Sequence, residues 1–440
     1  MRQLRRFARI ATAAVIGFFI RVARRIAGRP PRIWHGFSTL HATKWMVEAE
    51  RKAGFPSISV VLNMRSVRFA LVRPEDFDVV FESQGERSDD AHWRALAHLL
   101  RHADVWNAYF DSLFFPHRDT RKNVLAFRLI RLAGIKIVVQ PHGSDLVCTG
   151  RYPSRYNWPE RMQEDYPQWN LDEYREIVDA RVALFTRFAH LVLAGDSIYE
   201  AILPRWDLSF HTVPVDTASL VPRELPPRAT PVVIHAPNHR HVKGTQYLLD
   251  AVERLRARGF PIELRLIEGV PRDEALRLYA DADIVADQFI MGAFGIFALE
   301  GMALGKPVLT YLDEQHLQRP AYSHPILNTT PENLEQVLAV LLAMPELRQR
   351  IGRASRASIE RYQSFDVVSQ LWTRIYRHVW RGEPLDLAST PMFDPARHAR
   401  SLTEDPMEEE FWPVDVCDLI PRIRELARPL SDTAARTPRT

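Results

Sequence analysis

Two short stretches combine a cation, glycines and a single carboxylate in an order that suits a phosphate ester. The first, Ala236-Pro237-Asn238-His239-Arg240-His241-Val242-Lys243-Gly244, follows an apolar run and precedes a helical pattern. A lysine at a helix start opposes the macrodipole, so Lys243 is poorly placed for stability alone. A bound diphosphate reverses the sign, because backbone N–H groups and an ammonium then converge on one anion. As a loop cation Lys243 is expected to add little to folding stability. The second stretch, IMGAFGIFALEGMALGKPV, runs from Ile290 to Val308 and holds one acid among nineteen residues. Gly292 and Gly295 let the backbone approach a ligand closely and, with Ala293 and Phe294, leave N–H groups ahead of the next helix. Glu300 lies too far into that helix to be a simple N-cap. A carboxylate is an acceptor pair matched to two neighbouring hydroxyls, such as a ribose diol. Phosphate on the loops and ribose on the acid together describe a nucleoside diphosphate.

Such residues need a scaffold that brings loops together, and the chain repeats one. From Pro31, short apolar runs alternate with helical periodicity: strands at Arg32–His35, Ser57–Leu62, Val105–Phe110 and Ile135–Val139, with helices over Ala42–Ala53 and Thr120–Leu132. The pattern restarts near Pro231, with strands at Val232–His235, Ile262–Ile267, Ile284–Ala286 and Val308–Tyr311 and helices over Gly244–Arg258 and Pro271–Tyr279. Repeated βαβ units imply parallel sheets covered by helices. A proline-rich linker, Val221–Arg228, separates the halves. The expected fold class is α/β with two Rossmann-like domains facing across a cleft, where ligands of such sheets bind. Thr330 reads as an N-cap with Pro331 at the first helical position, and helices continue to about Arg381.

The two loops resemble the donor-binding half of the GT-B glycosyltransferases, in particular the retaining E-x(7)-E class (family 4-like, glycosyl transferases group 1). Lys243-Gly244-Thr245-Gln246-Tyr247-Leu248-Leu249 is similar to its KG-x(3)-LL loop. Phe294-Gly295 through Glu300-Gly301-Met302-Ala303-Leu304-Gly305-Lys306-Pro307-Val308 is similar to its G-F-G-x(4)-E-A-M-A-x-G-x-P-V run. His142-Gly143-Ser144-Asp145 resembles the H-G-x-D loop that faces the transferred sugar, and Pro214-Val215-Asp216 the hinge segment. The resemblance covers about residues 31–385. It implies a hexosyltransferase-type enzyme that is retaining and metal-independent and uses no cofactor, the nucleotide sugar being a substrate. His142 and Asp145 would position the sugar, Lys243 would stabilise the departing diphosphate with Asn238, Arg240 and the amides of Gly292–Gly295, and Glu300 would hold the ribose. Two departures stand out. The first glutamate of the signature falls on Gly292, leaving Asp287 or Gln288 to replace it, and the usual arginine falls on Asn238, leaving Arg240 to substitute.

The chain has 440 residues, enough for two or three domains with their own cores. Expected divisions are a basic helix at 1–28, an acceptor domain at 31–220 and a donor domain at 229–365. A helix at 366–385 would return to the first domain, and 386–440 would be a partly disordered extension with one short helix around Leu419–Leu426. Cys148 and Cys417 are the only cysteines, which suits a reducing cytoplasm. Asp281-Ala282-Asp283 has a metal-binding spelling but reads as structural, and His239 with His241 lacks a third ligand, so no metal is expected. Residues 1–28 contain seven arginines and no acid, leaving 51 basic against 54 acidic residues elsewhere. That is a terminal device and not a nucleic-acid groove. Its apolar run is too short to span a bilayer, and arginines stand where a signal cleavage site belongs. At about 100° per residue, Phe7, Ala11, Ala14, Phe18 and Val22 share one face and Arg2, Arg5, Arg6, Arg9 and Arg24 the other. This reads as an interfacial helix on anionic lipid at the inner face of the membrane, close to an envelope, polysaccharide or lipid-linked glycan acceptor. Packing on its own domain is the other reading. Rival functions are an epimerase of the same fold and a non-catalytic nucleotide-sugar-binding protein.

Overall fold

The alternation seen in the sequence resolves into two all-parallel sheets in a computed structural model. It describes residues 2–37, 41–62, 74–82, 89–143, 145–146, 155–156, 158–166, 171–226, 228–313, 324–393 and 414–415. The segment expected as a helix around Leu419–Leu426, both cysteines and Ser144 lie outside these residues. The chain forms two units: Met1–Tyr152, Asn170–Pro214 and Phe365–Phe393 make the first, and Pro153–Trp169, Val215–Ser364 and Asp394–Thr440 the second.

In the first unit the strands β1 (Ile33–Gly36), β2 (Ser57–Leu62), β3 (Val79–Phe81), β4 (Val105–Tyr109), β5 (Lys136–Gln140) and β6 (Leu191–Val192) lie in the order β3-β2-β1-β4-β5-β6. Helices α1 (Arg2–Ile26), α2 (His41–Lys52), α3 (Asp90–His102) and α4 (Thr120–Leu132) belong to this unit, with α6 (Leu171–Phe188) and α7 (Ser197–Ile202). A short α5 (Trp158–Asp165) falls in the second unit. The core is aromatic, with Trp34, Trp106, Phe110, Phe127 and Phe185 fully buried. A buried polar chain crosses the sheet: Gln140 donates to Asn107 at 2.8 Å, Asn107 to the Tyr376 hydroxyl at 2.8 Å, and Tyr376 to Glu50, which pairs with His35 at 2.7 Å. This chain pins the late helix carrying Tyr376 to the sheet, with Glu50 paired to both Tyr376 and His35.

The expected amphipathic helix exists, but its docking face differs from the one the sequence suggests. Ile10, Ala13, Gly17 and Arg21 face α3, so α1 is packed on its own unit along that side. A Cβ at Gly17 would come within 2.0 Å of the Leu100 carbonyl, a contact only glycine permits. Arg21, 3% exposed, donates to the carbonyls of Leu100, Ala103 and Ala133, where the end of a helix dipole favours a cation. No helix among the described residues is long and apolar enough to cross a membrane.

In the second unit β7 (Val232–His235), β8 (Glu263–Leu266), β9 (Ile284–Ala286), β10 (Val308–Thr310), β11 (Leu327–Asn328) and β12 (Val414–Asp415) lie in the order β12-β11-β10-β9-β7-β8. Sheet building changes direction between β7 and β9, and the loops leaving the carboxyl ends of these neighbours must diverge there and leave a crevice. The helices are α8 (Arg240–Lys243), α9 (Thr245–Ala257), α10 (Arg272–Ala280), α11 (Ile296–Ala303), α12 (Leu334–Ala343) and α13 (Pro345–Tyr362), while α14 (Phe365–Arg381) belongs to the first unit. Two expectations change. Pro331 starts no helix: residues 331–333 form a turn and α12 begins at Leu334 after Asn333. Lys243 closes the single turn of α8, and Gly244 at φ 72° separates it from α9. At a helix C-terminus a lysine is favoured, so its position alone is less anomalous than the sequence implies.

Candidate active site

The loops after β7 and β9 meet at the switch point of the second sheet. Lys243 Nζ lies 3.3 Å from Asp287 Oδ1 and also donates to Gln288 Oε1, while the Phe289 amide donates to the Lys243 carbonyl at 3.0 Å. The Gly295 amide donates to Asp287 Oδ2 at 3.0 Å. Thus an ammonium and a helix N-terminal amide converge on one carboxylate that is 1% exposed. The geometry is that of an anion cradle with an internal carboxylate seated in it. Lys243 and Gly295 are therefore brought together, as the spacing requires, through two residues that the sequence offered only as substitutes for a missing glutamate.

Gly292 stands at φ 88°, and its carbonyl accepts from the Asp313 amide at 2.8 Å. A Cβ there would meet Asp313 Oδ2 at 3.0 Å. Gly292→Glu, which restores the signature's spelling, must adopt a left-handed backbone and displace that carboxylate. It is expected to cost about 1–3 kcal/mol of stability, read by thermal melting, while calorimetric affinity for a bare nucleoside diphosphate stays near wild type. An undiminished melting temperature would show that the glycine is dispensable.

Glu300 sits on α11, a helix apolar on its other faces and buried throughout from Phe297 to Ala303. A Cβ at Gly301 would fall 2.9 Å from Val285 Cγ2, so the helix lies close on β9. Glu300 is 4% exposed and pairs with Arg272, the first residue of α10. Burial pushes the Glu300 carboxyl above its usual range and Arg272 opposes that shift. Arg272 escaped the sequence reading, although the signal was there: an arginine opening a helix after a strand end offends the dipole as Lys243 was thought to do.

The remaining residues of the first loop point elsewhere. Asn238 is exposed. Arg240 Nε donates to Glu268 Oε1 at 2.7 Å, so its side chain is engaged outside the cradle. His239 contacts the Tyr166 hydroxyl, and His241 Nδ1 lies 2.9 Å from Asp165. Asp281 pairs with Arg228 and Arg265, and Asp283 accepts from the Val232 amide at 2.8 Å, so this acidic pair is structural. In the second loop, Ala293 and Phe294 are buried.

In the first unit His142 and Asp145 come together at the end of β5, joined by Asp111 from the end of β4, which sequence reasoning missed. His142 Nε2 is 3.0 Å from Asp111 Oδ2 and 4.0 Å from Asp145 Oδ2. Asp145 also accepts from the amides of His142 at 3.0 Å and Phe110 at 3.2 Å. Burial opposes a charge on His142, but Asp145 and Asp111 outweigh it and raise the imidazole to about 9. Burial raises Asp145 to about 6, with His142 opposing. These three form the one group of potential metal ligands found among the described residues. With His142 protonated the three form an ion-pair cluster, and a cation entering it would have to displace the imidazole proton. Since the folded value lies above the unfolded one of about 6.5, the stabilisation from His142 is complete below that pH and is lost as pH rises through about 9. An NMR titration should place the His142 ring near 9, with Asp111→Asn moving it down. A wild-type midpoint at the unperturbed value would remove the ion pair.

No protein-family model matches the chain, and no curated protein does. Among solved structures it is similar to sucrose-phosphate synthase from Thermosynechococcus elongatus, at 13% identity over 81% of this chain and 100% of that one, with a TM-score of 0.54. The catalytic domain of starch synthase IV from Arabidopsis thaliana, bound to ADP and acarbose, matches at 10% identity over 80% and 100% of the two chains, with a TM-score of 0.53. HepE from Anabaena, in complex with UDP-glucose, matches at 14% identity over 77% and 97%, with a TM-score of 0.50. The fold is that of the GT-B glycosyltransferases.

Proposed function

We propose that the protein is a glycosyltransferase that takes a sugar from a nucleoside-diphosphate sugar and delivers it, with retention and without a metal, to an envelope, polysaccharide or lipid-linked acceptor. The observation that carries this is the convergence of Lys243 Nζ and the Gly295 amide on one buried point beside the Glu300 helix. Asp287 orients these two donors, and the partly exposed Lys243 ammonium is the group that would meet the diphosphate of the donor. As the glycosidic bond breaks, negative charge grows on the diphosphate, and a preoriented ammonium and amide stabilise that charge more than the ground state. Glu300, held by Arg272, accepts from the ribose hydroxyls. His142 and Asp145 orient the sugar, with Asp111 holding the imidazole. The ligands named for two similar structures, UDP-glucose and ADP, both carry the ribose diphosphate this arrangement suits. The acceptor would lie at the inner face of the cell membrane, to which α1 would attach the enzyme.

A thermal-shift screen of nucleoside diphosphates and their sugars identifies the donor, because a ligand specific to the native state raises apparent stability with its concentration. Product analysis of the hit then separates the readings. Slow hydrolysis or acceptor-dependent sugar release supports the transferase, isomerisation indicates an epimerase, and binding without turnover indicates a non-catalytic receptor.

A further inference from the structure

Of the ten large apolar side chains exposed among the described residues, six are on α1 and two on α4. On α1, Val15, Phe19, Val22 and Ile26 recur at helical spacing and form a stripe turned away from the face packed on α3. The end of α4 lies against α1 on the flank between the packed face and this stripe: Arg21 Nε bonds the Ala133 carbonyl at 2.8 Å, and a Cβ at Gly134 would lie 3.9 Å from Cδ2 of the exposed Phe18. Beyond it is an open groove of about 460 Å³ lined by Arg128, Arg131, Leu132, Arg187 and Phe188.

The groove is ordered from within. Arg131 donates to the Phe188 carbonyl at 3.3 Å and contacts His190 at 2.7 Å, which ties the ends of α4 and α6 together. The Arg187 guanidinium stacks over the Phe188 ring at 5.3 Å. None of its three arginines is paired with a carboxylate among the described residues, and residues 120–140 contain five basic residues and no acid. Cations also gather at its edge, where burial, Arg25 and Arg131 lower the Lys136 ammonium below its ordinary value.

We propose that this arginine groove binds the phosphate of an anionic phospholipid headgroup and, with the α1 stripe, seats the first unit on the bilayer. The proposal rests on reading α1 as membrane-facing and adds a second, chemically specific contact to it. An anionic bilayer answers both halves of the surface at once, since its headgroups neutralise the guanidinium groups and its acyl boundary takes Phe19 and Ile26. A nucleic acid would leave the apolar stripe in water.

Co-sedimentation of the full chain with phosphatidylglycerol–phosphatidylcholine vesicles and with pure phosphatidylcholine vesicles tests this. Wild-type protein is expected on the anionic vesicles. Arg128→Glu/Arg187→Glu should lose roughly 30-fold or more in partitioning at low salt, the effect of two surface-proximal cations, with an unchanged circular dichroism spectrum. Phe19→Glu/Val22→Glu should also lose binding. If the arginine variant sediments like wild type while the Phe19/Val22 variant does not, the groove is overturned and the α1 reading stands. Equal wild-type binding to both vesicle types overturns the headgroup site, and absence from both overturns groove and helix together. Nucleoside-diphosphate binding, measured separately on the same variants, keeps these outcomes distinct from failure of the transferase reading.

Discussion

Lys243→Ala is expected to lower turnover roughly 10²–10³-fold, the effect of removing one donor aimed at developing negative charge. The structure adds a consequence that the sequence did not suggest. Lys243 is 16% exposed and its partner Asp287 only 1%, so truncating the lysine leaves a buried carboxylate held mainly by the Gly295 amide. That should cost roughly 1–3 kcal/mol of stability, the penalty for an unsatisfied buried polar group, whereas a loop lysine read from sequence would cost almost nothing. Lys243→Ala/Asp287→Asn separates the two effects. Removing the orphaned charge restores the melting temperature, while turnover stays low because the ammonium is still missing. Wild-type turnover with unchanged diphosphate affinity in the single variant would take Lys243 out of the site.

The second large effect belongs to the Arg272–Glu300 pair. Arg272→Met keeps most of the side-chain volume but leaves the Glu300 carboxyl without its cationic partner in a buried helix, and losing one partner of such a pair costs about 3–5 kcal/mol. Arg272/Glu300 side chains are 18% and 5% exposed, so water screens the pair little. Glu300→Gln removes the charge instead and should destabilise less. Its loss falls on ligand binding: exchanging one charged acceptor for an amide should weaken nucleotide affinity by roughly 1.5–3 kcal/mol. Denaturant unfolding and calorimetry with the diphosphate report these separately. The double variant Arg272→Met/Glu300→Leu recovers stability without recovering binding. Unchanged nucleotide affinity in Glu300→Gln would leave this acid a structural helix residue.

Local pattern alone carried the α/β class, because strand and helix differ in the period of their apolar residues and the glycine breaks after Leu132 and Arg258 end elements in both readings. It also singled out Lys243, Gly295 and Glu300, since a cation, a glycine amide and an isolated acid each violate the bland expectation for their position. What it could not supply was the partner of each. Asp287 stands in the sequence only as a substitute for a missing glutamate, Arg272 only as a cation at a helix start and Asp111 not at all, and their pairings arise only when a switch in strand order sets two loops side by side, or when neighbouring strand ends in one sheet bring residues 31 apart to hydrogen-bond distance. The face of α1 shows the same division. Its arginines and apolar residues fix that the helix is amphipathic, but Arg21 is buried because three helix-end carbonyls await it, and Phe19 is exposed because Gly17 has already brought the opposite face against α3. Periodicity measures how residues are arranged around one helix axis. Which side is buried depends on the shape and unsatisfied groups of a surface assembled from distant parts of the chain, and that only the tertiary structure decides.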